Sequence, residues 1–539
     1  MTHLSTLDLT ITVGWILFMM ALGIYISNSS KTKTAKDYFL ASKSLSWWAV
    51  GGSLIAANIS AEQFIGMSGS GYAIGLGIAA YELMAAVTLI VVAKFFLPVF
   101  INKEIYTMPQ FLEKRFDRRV QTGLAFFWVL LFVLVNITSV LYLGALAIGQ
   151  IMGIPLIVAV IVLAIYSATF TVTGGLRAVA LTDVIQVIAL IFGGLVASYM
   201  VLNAVSDHAG MIQGLEMLYD KAPEKFDMIL DRSNPEYMNL PGISVLIGGM
   251  WIANLYYWGT NQYIIQRSLA CKSIEEAQKG TATAALIKVI LPIIVVIPGI
   301  AAYVLNADIG KPDEAYPWVI SNYVGTGAKG IALAALIAAI GSSVASIVNS
   351  ASTIFTLDIY KPLILKDYSS SVTVHNLNDS GRISADNDKK LVRTGKISSV
   401  IFIITGIIIA LQLGNLDQAF QYIQEYTGFI SPGVLAIFIL GLFWRKTSTN
   451  AAWAGMIAAI PLSVGFKYLT PGIPFLDRMG LCFLLITGIM VITSFLDNPK
   501  NDDPKALYYD KSLFKTSSVF NLLAAIVILI VGTVYYFFW

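Results

Sequence analysis

The stretch LIAANISAEQFIGMSGSG, residues Leu54–Gly71, lies inside an apolar segment that is long enough to cross a bilayer. Its centre carries Asn58, Ser60, Glu62 and Gln63, and several glycine and serine residues follow. Polar groups are costly at membrane depth, and non-helical backbone is tolerated there only where protein or a water-filled cavity covers it. We therefore predict an interrupted helix that lines a path, offering backbone carbonyls to a cation and polar side chains to a solute.

An alternative interpretation of this stretch is a continuous helix that packs tightly against another helix. Small residues at helix–helix contacts are common in membranes, and this arrangement would explain the glycines. It does not explain Glu62 and Gln63, which are neither small nor apolar. We therefore favour the interrupted helix.

The composition identifies an integral membrane protein. Hydrophobic residues make up 57% of the chain and charged residues 12%, with a mean hydropathy of +0.74, whereas soluble proteins contain about 25% charged residues. The net charge of +3 does not indicate a nucleic-acid partner. Cys271 and Cys482 are the two cysteines, and their settings in a charged loop and an apolar segment indicate no disulfide framework.

The apolar segments predict an all-α protein with about 14 transmembrane helices, since each span needs ~20 apolar residues. Lysine and arginine, Arg267 among them, are concentrated in alternate loops, which we predict to face inward. An even number of spans then places both termini outside. The long loop Ser206–Leu240 faces outward and includes a surface helix at Gly210–Lys221, whereas Lys361–Thr394 is predicted to be a flexible inward loop.

Two polar interruptions indicate internal symmetry. The second span runs from inside to outside, and the seventh runs from outside to inside. This pairing fits two five-span repeats of opposite topology, at residues 47–240 (with the outward loop) and 241–444. Residues 1–46 then form a first extra span with its inward loop, and residues 445–539 form three additional spans.

The seventh span carries Asn254, Tyr257, Trp258 and Asn261 at helical spacing, which places them on one face. Amides donate and accept hydrogen bonds, and an aromatic ring packs against the C–H face of a sugar ring. These residues therefore favour a solute site. The alternative is an aromatic core stripe with two satisfied amides.

The ninth span carries Ser342, Ser343, Ser346, Asn349 and Ser350. Adjacent hydroxyls and backbone carbonyls are oxygen ligands that suit sodium. Small polar residues also permit close helix packing, and on spacing alone we rank that explanation first.

Several ionisable residues lie near membrane depth and are functional candidates for that reason. Lys288 needs a partner or water, whereas Glu82 is closer to the outward end of its span and could reach the interface. Asp183 is predicted at the start of a span, where an N-cap is the simpler explanation. No phosphate-binding loop, nucleophile elbow or histidine metal site is recognisable in the sequence, so we do not expect an enzyme.

Five polar motifs within the membrane segments together resemble the sodium/solute symporter family, in particular its bacterial sodium/galactose members of the sodium–glucose cotransporter type. The motifs are LIAANISAEQFIGMSGSGY, GGLRAVALTDVIQ, YMNLPGISVLIGG, ANLYYWGTNQYIIQR and AFQYIQEYTG. The similarity extends over nearly the whole chain. It implies a five-plus-five inverted-repeat (LeuT-like) core with one span before it and three after it.

The resemblance also implies a function: sodium-coupled uptake of a galactose- or glucose-like sugar across the inner membrane by alternating access. The expected partners are a sugar, the co-transported sodium ion and the lipid bilayer. The alternatives are a sodium-coupled transporter of another small solute, such as a polyol or sialic acid, and a non-transporting solute sensor.

The resemblance implies specific site residues. Sodium would be held by backbone oxygens of Ala56, Ile59 and Ala339 and by the hydroxyls of Ser342 and Ser343, with Asp183 near the exit path. The sugar would be bound by Gln63, Glu82, Asn254, Lys288 and Gln424, with Asn58 close by and Tyr257 stacked on its ring. The gate residues would be Met67, Tyr81 and Phe420 on the outer side and Trp258 beside Tyr257.

One position departs from the galactose pattern. That pattern has a hydroxyl residue one helical turn after the glutamate, and here the position is Ala85. The loss of one hydroxyl contact is worth about 1 kcal/mol. The preferred hexose is therefore left open.

Overall fold

The computed structural model describes residues 4–29, 34–364, 383–412, 419–497 and 501–539. Within those residues the chain is helical apart from its turns and a single bridge between Leu45 and Cys271. The α-helices are α1 (Thr6–Ser29), α2 (Ala35–Leu40), α3 (Trp47–Asn58), α4 (Ser68–Ala73), α5 (Ala80–Val91), α6 (Leu97–Asn102), α7 (Met108–Arg115), α8 (Arg118–Leu131), α9 (Ile137–Met152), α10 (Leu156–Val205), α11 (Met211–Lys221), α12 (Ser244–Ile247), α13 (Gly249–Gly259), α14 (Gln262–Leu269), α15 (Ile274–Val295), α16 (Ile297–Val304), α17 (Ala315–Tyr323), α18 (Ala328–Ile354), α19 (Lys361–Leu363), α20 (Ile383–Ala410), α21 (Ala419–Thr427), α22 (Ser431–Phe443), α23 (Thr449–Leu469), α24 (Phe475–Asp497) and α25 (Ser518–Phe537).

The helices form a multi-pass membrane protein, as predicted. Ten helical segments of the described chain are long and apolar enough to cross a bilayer. Two shorter apolar helices, Leu156–Thr169 and Ser431–Phe443, add to them. The two predicted spans with polar interruptions are divided into shorter helices. The all-α class is therefore confirmed, and the count of 14 stays a prediction.

The predicted interruption near residue 59 is confirmed. Helix α3 ends at Asn58, and Ile59 is extended, with φ −75° and ψ 108°. The chain then continues through a π-helical segment, Glu62–Met67, into α4. The seventh span is interrupted similarly, because α13 ends at Gly259 and α14 begins at Gln262.

Glycines let the segments around the first interruption pack closely. A Cβ added at Gly299 of α16 would lie 1.9 Å from the carbonyl oxygen of Ser68 in α4. A Cβ added at Gly66 would lie 2.6 Å from the Cβ of Phe420 in α21. Both distances are far below van der Waals contact, so a larger residue at either position would displace a neighbouring helix.

Helix α10 is two helices joined at Gly175, whose φ of 59° and ψ of −160° break the helical path. Asp183 lies eight residues beyond this break, inside the second helix, and is fully buried. The N-cap explanation for Asp183 is therefore wrong. The structure places the Asp183 carboxylate in the protein interior, where it needs hydrogen-bond partners.

The predictions for the two long loops have different outcomes. The surface helix predicted at Gly210–Lys221 is confirmed as α11. The predicted flexible loop Lys361–Thr394 is wrong at its C-terminal end, because α20 begins at Ile383. Leu391 of α20 packs in a small apolar cluster with Tyr38, Phe39, Leu40 and Tyr106, which stabilises this helix. Residues 365–382 of the loop lie outside the described residues.

Candidate functional site

A cavity of ≈ 60 Å³ lies beside the interruption between α3 and α4. Seven helical regions line it: the interruption itself, α5, α13, α15, α21, α22 and α24. The structure brings together there all seven residues predicted to contact a solute, namely Asn58, Gln63, Glu82, Asn254, Tyr257, Lys288 and Gln424. Ala85 also lines the cavity, on the same helix as Glu82.

A buried ion pair crosses the cavity. Lys288 of α15 donates a hydrogen bond to Glu82 of α5, and both residues are almost fully buried. The amine also lies 5.2 Å from the ring centroid of Trp258. Each charge therefore has a partner of opposite sign, which a buried ionised group requires. Glu82 does not extend to the interface, so that simpler explanation is wrong.

A chain of hydrogen bonds joins the two interrupted spans. The Asn58 amide donates to the Tyr257 hydroxyl at 3.0 Å, and the Tyr263 hydroxyl donates to the same oxygen at 2.6 Å. The rings of Tyr257 and Trp258 meet edge to face at 5.2 Å. Asn254, Tyr257 and Trp258 line the cavity as their spacing predicts, but Asn261 does not.

An aromatic pair closes another side of the cavity. The rings of Tyr81 in α5 and Phe420 in α21 lie 5.1 Å apart and nearly perpendicular. Met67 is fully buried in the adjacent π-helical segment, although it does not line the cavity. The geometry is compatible with a gate formed by Tyr81 and Phe420.

Backbone oxygens and one hydroxyl converge beside the same interruption. The Ser343 hydroxyl of α18 lies 3.5 Å from the carbonyl oxygen of Ala56 and 3.2 Å from those of Ala57 and Ile59. These carbonyls are available because α3 ends there. Ala339 lies one helical turn before Ser343 on α18. The arrangement offers several uncharged oxygens to a hard cation.

Ser342 points to a second polar cluster next to these oxygens. Its hydroxyl donates to Asp183 at 2.6 Å, and the Ser53 hydroxyl donates to the other carboxylate oxygen at 2.6 Å. The Arg267 guanidinium lies 3.9 Å from that carboxylate and also donates to Ser53 and Ser346. The carboxylate is thus paired with one cation and two hydroxyls within the protein.

Two polar residues of this region were not predicted as site residues. The sequence interpretation counted Arg267 in an inward loop, but it is fully buried on α14. Its position in the polar half of an interrupted span was the available signal. Glu62 also lines the cavity and accepts a 2.7 Å hydrogen bond from Ser139 of α9.

Comparison with known proteins agrees with this architecture. The model of the sodium:solute symporter family matches residues 38–459. The chain belongs to that family. It is 48% identical to the sodium/glucose cotransporter of Vibrio parahaemolyticus, over 99% of each chain. It is 33% identical to the human sodium/myo-inositol cotransporter 2, over 86% of this chain and 71% of the relative.

The fold of this symporter family member also matches a solved structure. A Na⁺-coupled sialic acid symporter in a substrate-bound outward-open state superposes with a TM-score of 0.77. The match covers 91% of this chain and 98% of that chain, at 23% sequence identity. At this identity the likeness shows a common fold, the LeuT-like arrangement that the family resemblance implied.

Proposed function

We propose that this chain is a sodium-coupled symporter that carries a hexose into the cell across the inner membrane. The single observation behind the proposal is the position of a polar, aromatic-lined cavity next to a set of uncharged oxygens at one interrupted helix. Sugar transporters combine these features because a neutral polyhydroxy ring needs both hydrogen bonds and an apolar face to stack on. The relatives named as sodium/glucose cotransporters support the choice of solute.

Within this proposal each predicted residue has a role. Sodium binds at the carbonyls of Ala56, Ile59 and Ala339 with the hydroxyls of Ser342 and Ser343, and it ties α3 to α18. Asp183 lies near the ion's exit path. The sugar is bound by the seven predicted cavity residues, with Tyr257 stacked on its ring. The gate residues are Met67, Tyr81, Phe420 and Trp258.

The movements of sodium and of the solute are coupled, because both depend on the same conformational change. Sodium bridges two helices that belong to different repeats, so its binding favours the state in which they are held together. Opening of the opposite side separates these helices and releases the ion. One sodium ion crossing ~100 mV supplies roughly 2.3 kcal/mol. That energy supports about 50-fold accumulation of a neutral sugar.

We extend the proposal to the organisation of the chain. Residues 47–240 and 241–444 form the two inverted repeats, each of which begins with an interrupted span, α3–α4 or α13–α14. Residues 1–46 and 445–539 add one and three spans, respectively. Basic residues then lie mainly on the inner side, and both termini lie outside.

The proposal is tested by uptake of labelled galactose and glucose into proteoliposomes that contain the purified protein. We expect accumulation with an inward sodium gradient and none after the gradient is collapsed with an ionophore. Protein-free liposomes are the control. Equal uptake with sodium and with choline outside would contradict the coupling.

myo-Inositol is a second candidate solute, because several relatives are named sodium/myo-inositol cotransporters. Ala85 favours its inclusion, since this cavity residue departs from the galactose pattern. Competition of unlabelled galactose, glucose and inositol against the labelled substrate ranks the three solutes directly.

Ala85→Ser is expected to lower the KM for galactose by about fivefold, because an added hydroxyl supplies one hydrogen bond worth about 1 kcal/mol. Initial uptake rates over a range of galactose concentrations measure this effect. Ala86→Ser, which adds the same hydroxyl at a buried neighbour outside the cavity lining, is the matched control. An unchanged KM would show that Ala85 does not set the sugar preference.

Tyr257→Phe is expected to lower kcat/KM for the sugar by about tenfold to thirtyfold, because it removes the shared partner of two hydrogen bonds, each worth about 1 kcal/mol. The ring and its stacking are retained. Tyr263→Phe removes only one of the two bonds and should have the smaller effect. Equal rates for wild type and Tyr257→Phe would contradict a role for this hydroxyl.

A further inference from the structure

A large apolar cavity lies beneath α11, away from the solute and ion sites. Its volume is ≈ 860 Å³, and α5, α11, α15, α16 and α25 contribute to its walls. The walls consist largely of aliphatic side chains, including Leu83, Ile293, Ile297 and Val534. Ile530 also lines the cavity and is 38% exposed on the last membrane helix. The cavity therefore lies at the lipid-facing edge of the protein.

A smaller cavity of ≈ 350 Å³ adjoins the first and is lined mainly by aromatic and acidic side chains. The two share Tyr219, Phe226, Phe537 and Phe538. The rings of Tyr219, Phe226 and Phe538 contact one another at centroid distances of 5.4–6.3 Å. The Met228 amide donates to the carbonyl oxygen of Phe538 at 2.7 Å, which fixes the end of α25 against the loop.

Carboxylates surround this aromatic junction. Glu224 and Asp227 line the smaller cavity, and Glu216 and Asp220 line the larger one, one turn apart on α11. No described basic side chain forms an ion pair with any of the four.

The amine of the nearby Lys225 donates to the carbonyl oxygens of Tyr72 and Ala73. Its positive charge also interacts with Glu224, so it offsets one of the four carboxylates and leaves the other three. Burial, together with the neighbouring carboxylates of Asp231 and Glu224, raises the pKa of Asp227. The two adjoining cavities, together called the recess below, thus carry negative charge that a bound cation would neutralise.

We propose that the two adjoining cavities form a binding site for one phospholipid with a primary ammonium headgroup, phosphatidylethanolamine. An acyl chain fills the larger cavity, where it packs against the aliphatic side chains of the walls. The ammonium lies in the smaller cavity, donating charge-assisted hydrogen bonds to the carboxylates and resting against the aromatic rings.

The chemistry of the recess distinguishes this lipid from two others. A primary ammonium has three N–H donors, whereas the quaternary ammonium of phosphatidylcholine has none for the carboxylates. A phosphatidylglycerol headgroup is anionic overall and would be repelled by the nearby carboxylates. The recess therefore favours phosphatidylethanolamine over both.

The position of the cavity connects it to the solute site. Leu83 and Val289 of the cavity wall directly follow Glu82 and Lys288 in sequence. The same two helices, α5 and α15, therefore present an ion pair to the solute site and apolar side chains to the lipid cavity. A bound acyl chain supports these helices from the lipid side.

Native mass spectrometry of the intact purified protein tests the proposal without any transport measurement. The protein is exchanged into detergent with equal amounts of phosphatidylethanolamine, phosphatidylcholine and phosphatidylglycerol. We expect preferential retention of phosphatidylethanolamine. Glu224→Gln combined with Asp227→Asn should lower that preference by about tenfold, the effect of roughly 1.4 kcal/mol. Val534→Trp should lower lipid retention, because the larger side chain narrows the larger cavity.

Asp207→Asn combined with Asp308→Asn is the matched control, because it removes two exposed carboxylates that lie outside both cavities. It should retain the wild-type preference. Ile530→Trp narrows the cavity from a different turn of α25 and replaces Val534→Trp if that variant misfolds.

Equal retention of the three lipids, or an unchanged preference in the Glu224→Gln/Asp227→Asn variant, would overturn the proposal. A dimer mass without bound lipid would also overturn it, since a second copy of the chain would then cover the cavity. A failure of sugar transport would leave these measurements unaffected.

Discussion

Lys288→Met is expected to abolish sodium-driven sugar uptake and to lower thermal stability markedly. Methionine keeps much of the side-chain length but removes the charge, so Glu82 stays buried without its partner. Removing one partner of a buried ion pair costs about 3–5 kcal/mol. Thermal unfolding of the purified variant and its uptake in proteoliposomes measure the two effects separately.

A double variant separates stability from transport. Glu82→Gln combined with Lys288→Met removes both charges, so no unpaired ion is left in the cavity. We expect its Tm to recover most of the loss while uptake stays at background, since both groups would contact the sugar. Recovery of uptake in the double variant would contradict a direct role for the ion pair.

Lys467→Met is the matched control for the stability effect. Lys467 lies 3.4 Å from Glu425 in an ion pair whose side chains are both 24% exposed. Exposed pairs contribute about 0–1 kcal/mol, so this variant should unfold near the wild-type temperature. Similar losses in both lysine variants would indicate that charge removal, rather than burial of the remaining partner, causes the change.

The interrupted helix at Ile59 could be predicted because a membrane allows few structures for a polar stretch. Asn58, Glu62 and Gln63 cannot face lipid, and the adjacent glycines lower the cost of leaving the helix. The resemblance then assigned Gln63, Glu82 and Lys288 to one site. The structure places all three at the same cavity, although they come from three different segments.

The partners of Asp183 could not be predicted in this way. Its carboxylate accepts hydrogen bonds from Ser53 and Ser342, which lie 130 and 159 residues away along the chain. Helical periodicity describes one segment at a time and contains no information about such pairs. The distribution of basic residues over the loops also misplaced Arg267, because a buried arginine and an exposed loop arginine cannot be distinguished until their tertiary partners are known.

The start of α20 shows the same limit for secondary structure. Its first residues are polar, and composition alone indicated a flexible loop from Lys361 to Thr394. The helix nevertheless begins at Ile383, and Leu391 contributes to the cluster around Tyr38 and Phe39. Tertiary packing thus stabilises a helix that local propensity does not indicate.

Ser343→Ala is expected to raise the sodium concentration for half-maximal uptake by about tenfold, equivalent to roughly 1.4 kcal/mol of lost ion affinity. The hydroxyl lies within 3.5 Å of the carbonyl oxygens of Ala56, Ala57 and Ile59, where a sodium ion would need it as a ligand. Sodium titrations of uptake at fixed sugar concentration measure the shift.

Ser352→Ala is the matched control because Ser352 is equally buried on α18 but donates its hydroxyl to Gly395. Its sodium dependence should equal that of the wild type. At saturating sodium, Ser343→Ala should bind the sugar with nearly wild-type affinity, since Ser343 does not line the solute cavity. A shift confined to sodium would therefore locate the ion at the end of α3. A loss of sugar affinity that persists at saturating sodium would instead mean that Ser343 maintains the shape of the interrupted helix itself.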